Sequence, residues 1–273
     1  MTVVASQAER AQSFGTIAGD YDRLRPAPPA AAVSWLLPGR AGVVVDLAAG
    51  TGLLSRALAQ RADRVIAVEP DRRMAAVLRA RSPMVTMLNG RGEAIELPDA
   101  SADGLFISSA WHWLDPERAL AEIARVLRDG GRFGAIWTGR DRRAEWVRAA
   151  DLAVRQAMHG SGENRQDGPS GQHGQPDGHG ERMFGPRQRE IALPEGAPFG
   201  PPESATFEFT RTMTAADVVG MLATYSGVIT ASPRDRAAGL DRARAVLTER
   251  FGTAAEIEVP MRSACWRTHR LPR

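Results

Sequence analysis

The sequence predicts an α/β fold, a mostly parallel sheet with helices on both faces. Three observations carry the prediction. Val43-Val44-Val45-Asp46 runs into Leu47-Ala48-Ala49-Gly50-Thr51-Gly52 and then Leu53-Leu54-Ser55-Arg56-Ala57-Leu58, which reads as strand, tight turn and helix. Arg64-Val65-Ile66-Ala67-Val68-Glu69-Pro70-Asp71 reads as a second strand, ending in an acid. Beyond it, apolar runs and amphipathic segments keep alternating, as βαβ units do in a parallel sheet.

The chain of 273 residues is long enough to bury one large core, or one α/β domain with an inserted cap. Its 43% hydrophobic and 25% charged residues are those of a globular protein. All 35 basic residues are arginine and 32 acids are spread among them, for a formal charge of only +3. Nucleic acid would call for a concentrated basic face, whereas pairs such as Arg72-Arg73 and Arg142-Arg143 read as solvated helix faces. A single cysteine, Cys265, excludes an internal disulfide and a cysteine-based zinc site. No stretch approaches the ~20 apolar residues of a membrane span, and no apolar signal segment opens the chain, so a cytoplasmic location is expected.

The first turn carries the chemistry. Gly50 and Gly52 can take backbone angles closed to other residues, and without a Cβ they let a ligand lie against the main chain. The helix that follows offers free N–H groups to a carboxylate or phosphate. Asp46 precedes the glycines, and Ser55 stands where a dinucleotide site has its third glycine or alanine, which disfavours a dehydrogenase. An acid at that place suits a ligand bearing positive charge. The stretch resembles motif I of class I S-adenosylmethionine (SAM) dependent methyltransferases, acid-x-Gly-x-Gly-x-Gly. Asp46, Ala48, Gly50 and Gly52 fall on those places, with Ala48 replacing the first glycine. The resemblance implies SAM as cofactor and a Rossmann-like sheet of seven strands whose last member is antiparallel.

Residues 1–34 precede the turn and contain Tyr21-Asp22-Arg23-Leu24-Arg25-Pro26, then a proline-rich lead into an apolar helix near 30–37. In the resembled family a segment of this pattern folds over the cofactor as a lid, which places Tyr21 and Arg25 on SAM. A tyrosine packed under a surface helix and an arginine in a salt bridge is the alternative reading. Glu69 lies 17 residues past Gly52, close to where a βαβ unit puts the carboxylate that accepts both ribose hydroxyls. By resemblance, Pro70 and Met74 flank the adenine.

A third strand is expected over 84–88. Residues 89–103 resemble the family's adenine loop, with Gly92 and Glu93 as candidates and Arg91 in place of an acid that often holds the adenine amino group. Residues 104–109 form a fourth strand apolar enough to be buried on both faces. Ser109 and Ala110-Trp111-His112-Trp113-Leu114-Asp115 then fall at its C-terminal end, where open α/β sheets place their ligands. This signature resembles the trans-aconitate methyltransferase-like branch of the family. His112 is the candidate general base, since an imidazole titrates near pH 6.5. A hydrogen-bonded pin for the loop is the alternative reading. Trp111 and Trp113 are candidate walls for an apolar acceptor or the sulfonium methyl, or core residues. An amphipathic helix over 116–127 and an Arg-Asp-Gly-Gly turn into a fifth strand at 132–137 follow, again as in the family.

Past Trp137 the resemblance fades. A helix is expected over 141–158. Residues 159–180 hold seven glycines and His159, His173 and His179, a composition that predicts a flexible loop rather than a metal site. Alternation over 204–211 gives a strand, helices are expected over 214–222 and 233–251, and 255–266 reads as the last strand. Tyr225, in a Thr-Tyr-Ser element resembling the family's substrate-side insertion, is a further acceptor candidate.

The chain is thus expected to divide into a lid (1–34), a SAM-binding core (35–140), a helix with a loop (141–203) and C-terminal strands with a helical cap (204–273). Its expected chemistry is methyl transfer from SAM to an O, N or C atom of a small molecule, with no metal. A non-methylating reaction such as cyclisation, or a non-catalytic SAM-binding module, is the alternative.

Overall fold

The computed structural model describes residues 13–159 and 190–272. Its strands are β1 (Ala41–Leu47), β2 (Ala62–Val68), β3 (Thr86–Leu88), β4 (Ala102–Ser108), β5 (Leu127–Arg140), β6 (Glu203–Met213) and β7 (Ile257–His269). They form one sheet in the order β3-β2-β1-β4-β5-β7-β6. The pairs from β3 to β5 are parallel, and β7 runs antiparallel to β5 and β6, as the sequence predicts. Strand order reverses between β1 and β4, so a crevice opens at their C-terminal ends.

The period-2 geometry of strands divides the core into two layers. Val44, Phe106, Ile136 and Cys265 face α2 (Ala30–Leu36), α3 (Leu53–Leu58) and α4 (Arg72–Arg81), packing with Leu36, Leu54, Leu58 and Leu78. Val45, Leu47, Leu105, Ile107 and Phe133 face the other way, onto Leu120 and Ile123 of α5 (Pro116–Val126). Leu105, Phe106 and Ile107 are fully buried, which is why this strand reads as a continuous apolar run. Asp115 starts α5 by accepting from the N–H groups of Glu117 and Arg118, with Pro116 in the first turn.

The remaining helices are α1 (Ala18–Leu24), α6 (Glu145–His159), α7 (Ala215–Ala223), α8 (Ser226–Ile229) and α9 (Pro233–Phe251). Leu24 of α1 shares an apolar cluster with Val218, Val219 and Met221 of α7, so the N-terminal segment packs on the helices inserted between β6 and β7.

Several boundaries differ from expectation; the last strand, for one, spans Ile257–His269 rather than 255–266. Helix α6 begins at Glu145, because the Asp141 carboxylate accepts from the Arg143 N–H and folds 141–143 into an Asx turn. The Gly130-Gly131 turn lies inside β5: Ala102 pairs with Leu127 but Gly104 with Arg132, and Gly130 takes φ +73 in the bulge. Strand β3 is only Thr86–Leu88, with Met84 exposed before it. Of the expected flexible loop over 159–180, residues 160–180 lie outside the described residues, as do His173 and His179.

Candidate functional site

The turn after β1 is built on positive backbone angles: Ala48 at φ +54, Gly50 at +59 and Gly52 at +85. Its two glycines serve different ends. A Cβ on Gly52 would lie 2.8 Å from Leu78 Cγ, so this glycine lets α4 close on the turn. Gly50 lines a cavity and donates its N–H to Glu69 Oε2 at 2.8 Å, while Glu69 Oε1 accepts from the Asp71 N–H at 2.8 Å. Glu69 therefore ties the end of β2 to the turn after β1. Burial raises its pKa against the opposing pull of those two N–H groups.

Beneath the turn, Asp46 is fully buried and accepts from the Ser55 hydroxyl at 2.5 Å. Burial pushes its pKa up to about 7, with the Ser55 hydrogen bond opposing and the Glu69 charge adding to the rise. Ser55 thus has a part in this fold that no glycine could play.

The cavity of ≈580 Å³ lies at the C-terminal ends of the sheet strands, within the size range of small-molecule sites. On the side of β1 and β2 it is lined by Ala48, Gly50, Glu69, Pro70 and Met74, then by Gly92 and Glu93. Glu93 accepts from the Asp115 N–H at 2.9 Å and so joins the adenine-loop candidate to the start of α5. Ser109 follows β4 at φ +54, a conformation that costs a non-glycine residue energy and turns the chain toward His112.

His112 and Trp113 line the cavity with ring centroids 4.3 Å apart, in a 3-10 turn, Trp111–Trp113. Trp111 is not in the lining; it is partly buried and packs against the core on Phe133 at 6.0 Å. Tyr21 and Arg25 reach the cavity from the N-terminal segment, and Tyr225 from the insertion. Of the residues singled out from the sequence, only Asp46, Gly52 and Trp111 stay behind the wall.

Several lining residues carry no mark in the sequence. Phe14 packs between Tyr21 and Trp113 at 5.6 and 6.2 Å, and Trp137 and Thr138 come from the C-terminal half of β5. The rule that ligands gather at the C-terminal ends of parallel strands would have found Thr138. No local pattern points to Phe14, which is brought in by the packing of its segment. Among the described residues there is no cluster of three or more His, Cys, Asp or Glu able to hold a metal, and no helix long and apolar enough to cross a membrane.

This geometry can be set beside known proteins. A methyltransferase domain family model matches residues 45–135. A methyltransferase of uncharacterised activity from Mycobacterium tuberculosis is 38% identical over 245 residues, 90% of this chain and 89% of the mycobacterial protein. A methyltransferase-like protein of Schizosaccharomyces pombe is 32% identical over 164 residues, 58% of this chain and 61% of its own. Among solved structures, a proposed type II methyltransferase from Anaeromyxobacter dehalogenans superposes with a TM-score of 0.63 at 27% identity, over 91% of this chain and 99% of that one.

Proposed function

We propose a small-molecule acceptor for this chain, which belongs to the class I SAM-dependent methyltransferases: the methyl group goes to a nucleophilic O, N or C atom of that acceptor. The observation that carries the reading is one cavity walled by the Gly50–Glu69 turn on one side and the His112–Trp113 loop on the other.

The residues present fit the cofactor. Glu69 spends one lone pair of each oxygen on backbone N–H groups, and a carboxylate has about four such sites, so about two remain for ribose hydroxyls. Pro70 and Met74 would flank the adenine, with Gly92 and Glu93 on its loop. Ala48, Gly50 and Ser109, held in left-handed conformations, line the wall, and Gly50 has no side chain to keep a ligand from its main chain. Asp46 would support the turn from below, through Ser55, and Gly52 would let α4 close on it. Tyr21 and Arg25 would cover the site from the N-terminal segment. SAM supplies a methyl group already activated on a sulfonium centre.

The protein's task is then to align the acceptor and exclude water. Trp113 and Tyr225 would form the acceptor wall, with Trp111 buttressing the loop from the core. His112, which lines the cavity, would take a proton from a nucleophile with an acidic hydrogen. The Ala110 to Asp115 signature supports the trans-aconitate methyltransferase-like branch within the family.

The test is to incubate the full chain with methyl-labelled SAM and a cell extract, then separate small molecules from macromolecules. Label in the small-molecule fraction is expected. Label confined to protein or nucleic acid overturns the small-molecule reading, and bound SAM that never loses its label overturns methyl transfer.

A further inference from the structure

Arg25 lies between two tyrosine rings, its guanidinium carbon 4.0 Å from the Tyr225 centroid and 5.1 Å from that of Tyr21. It is half-buried, and among the described residues no carboxylate lies within 4.0 Å; it donates to the Thr224 carbonyl at 3.3 Å. Its Nε is buried with no hydrogen-bond partner among those residues. The two aromatic faces are therefore the main compensation this cation has, and desolvation strengthens that attraction.

The two rings come from segments far apart in the chain and both line the cavity. Tyr21 is on α1, whose segment also carries Phe14, packed on Trp113. Tyr225 starts α8 in the insertion, and it is fixed from behind. Arg140, at the end of β5, has its guanidinium carbon 5.7 Å from the Tyr225 ring centroid, and its Nη2 lies 2.6 Å from Oδ1 of Asp151 on α6. Arg140 and Asp151 are 2% and 0% exposed. A buried ion pair of this kind is a rigid base, because breaking it would leave a charge without a partner.

The other ties between the segment and the insertion are weaker or lie outside the cavity. The Arg23–Asp217 pair is solvent-exposed, where such pairs contribute little. Arg211, on β6 and so outside the insertion, donates to the carbonyls of Leu24 and Arg23. Among the described residues, the Arg25–Tyr225 stack is the cation–π contact that joins the two from within the cavity wall.

We propose that Tyr225 is a positioning residue for the cofactor: its ring is the seat on which Arg25 latches the N-terminal segment over bound SAM. The inference rests on the SAM site assigned above, and it gives a residue of the acceptor-side insertion control over how long the cofactor stays. Lifting Arg25 from that ring loosens the segment over SAM, beside the apolar packing of Leu24 on α7 that stays in place. An acceptor that presses on Tyr225 from the cavity is thereby coupled to cofactor retention, with no contact needed between Tyr225 and SAM.

The experiment measures the rate at which bound SAM leaves the full chain, chased with excess S-adenosylhomocysteine and followed by tryptophan fluorescence. Tyr225→Leu should speed release about fivefold or more, the size expected for one desolvated cation–π contact. Tyr225→Phe keeps the ring and should stay within about twofold of the parent. Arg25→Gln should match Tyr225→Leu, and the double variant should be no faster than either single one. An unchanged rate in Arg25→Gln, additive effects in the double variant, or a Phe variant as fast as the Leu variant overturns the latch. Should Tyr225→Leu fail to fold, Arg25→Gln against the parent and Tyr225→Phe still decides. A parent chain that binds no SAM would instead overturn the site assignment itself.

Discussion

The Ser55 hydroxyl donates to Oδ2 of Asp46 at 2.5 Å, while Asp46 Oδ1 has no hydrogen-bond partner among the described residues. One carboxylate oxygen is satisfied and the other is desolvated without compensation, which is why the acid is hard to ionise there. Its folded pKa of about 7 stands above the ordinary value of 3.8. The stability from this group is therefore fully present below the unfolded pKa and lost as pH rises through about 7. Urea unfolding of the parent and of Asp46→Asn between about pH 4 and pH 8 should show the difference, at up to ~1.4 kcal/mol per pH unit for one proton. The asparagine amide has nothing to ionise, so equal pH slopes in the two proteins would contradict the assignment.

Glu69 accepts from Gly50 and Asp71 and lines the cavity as well. Glu69→Ala removes both backbone ties and the acceptor for ribose hydroxyls, each charged hydrogen bond contributing ~1.5–3 kcal/mol. SAM affinity should fall at least about tenfold, and the melting temperature should fall with it. Glu69→Gln keeps one acceptor oxygen and should lie between. Calorimetry on the folded variants checks this; a dissociation constant equal to the parent's would remove Glu69 from the ribose.

Which parts of the site are readable from sequence follows from how far apart the partners lie along the chain. The Asp46 to Gly52 turn, Glu69 and His112 are legible because each sits at a strand end that hydrophobic patterning marks, and strand ends are where such sheets hold ligands. Phe14 and the Arg25–Tyr225 stack are not legible. Arg25 and Tyr225 are 200 residues apart, and only the packing of α1 on α7 brings them together. Ser55 in place of a third glycine reads from sequence only as a departure from a fingerprint. In the fold it is the donor that a buried Asp46 requires.

Gly52 is legible as a glycine the turn needs, but its reason is not. It takes φ +85, and a Cβ there would press on Leu78 of α4 at 2.8 Å, away from the cavity lining. Gly52→Ala should therefore destabilise the fold by about 1–3 kcal/mol through the strained backbone, more if Leu78 cannot move. SAM affinity, measured at a temperature where the variant is folded, should change far less than in Glu69→Ala. Lost binding with stability intact would return Gly52 to direct ligand contact.

His112 is the remaining decision, because its ring lines the cavity but also stacks 4.3 Å from Trp113. The two roles leave different marks. If the imidazole takes a proton from the acceptor, His112→Ala should lower turnover by ~10² or more, SAM affinity should hold, and the rate should rise with pH across the imidazole range. If the ring only braces the loop, the loss should appear in acceptor binding and in stability. His112→Gln, which keeps a polar side chain of similar reach, should then retain most activity. The in-line displacement at an activated methyl needs alignment before it needs a base. A flat rate between about pH 6 and 9, with chemistry shown to be rate-limiting, would assign His112 to alignment and leave the proton to the solvent.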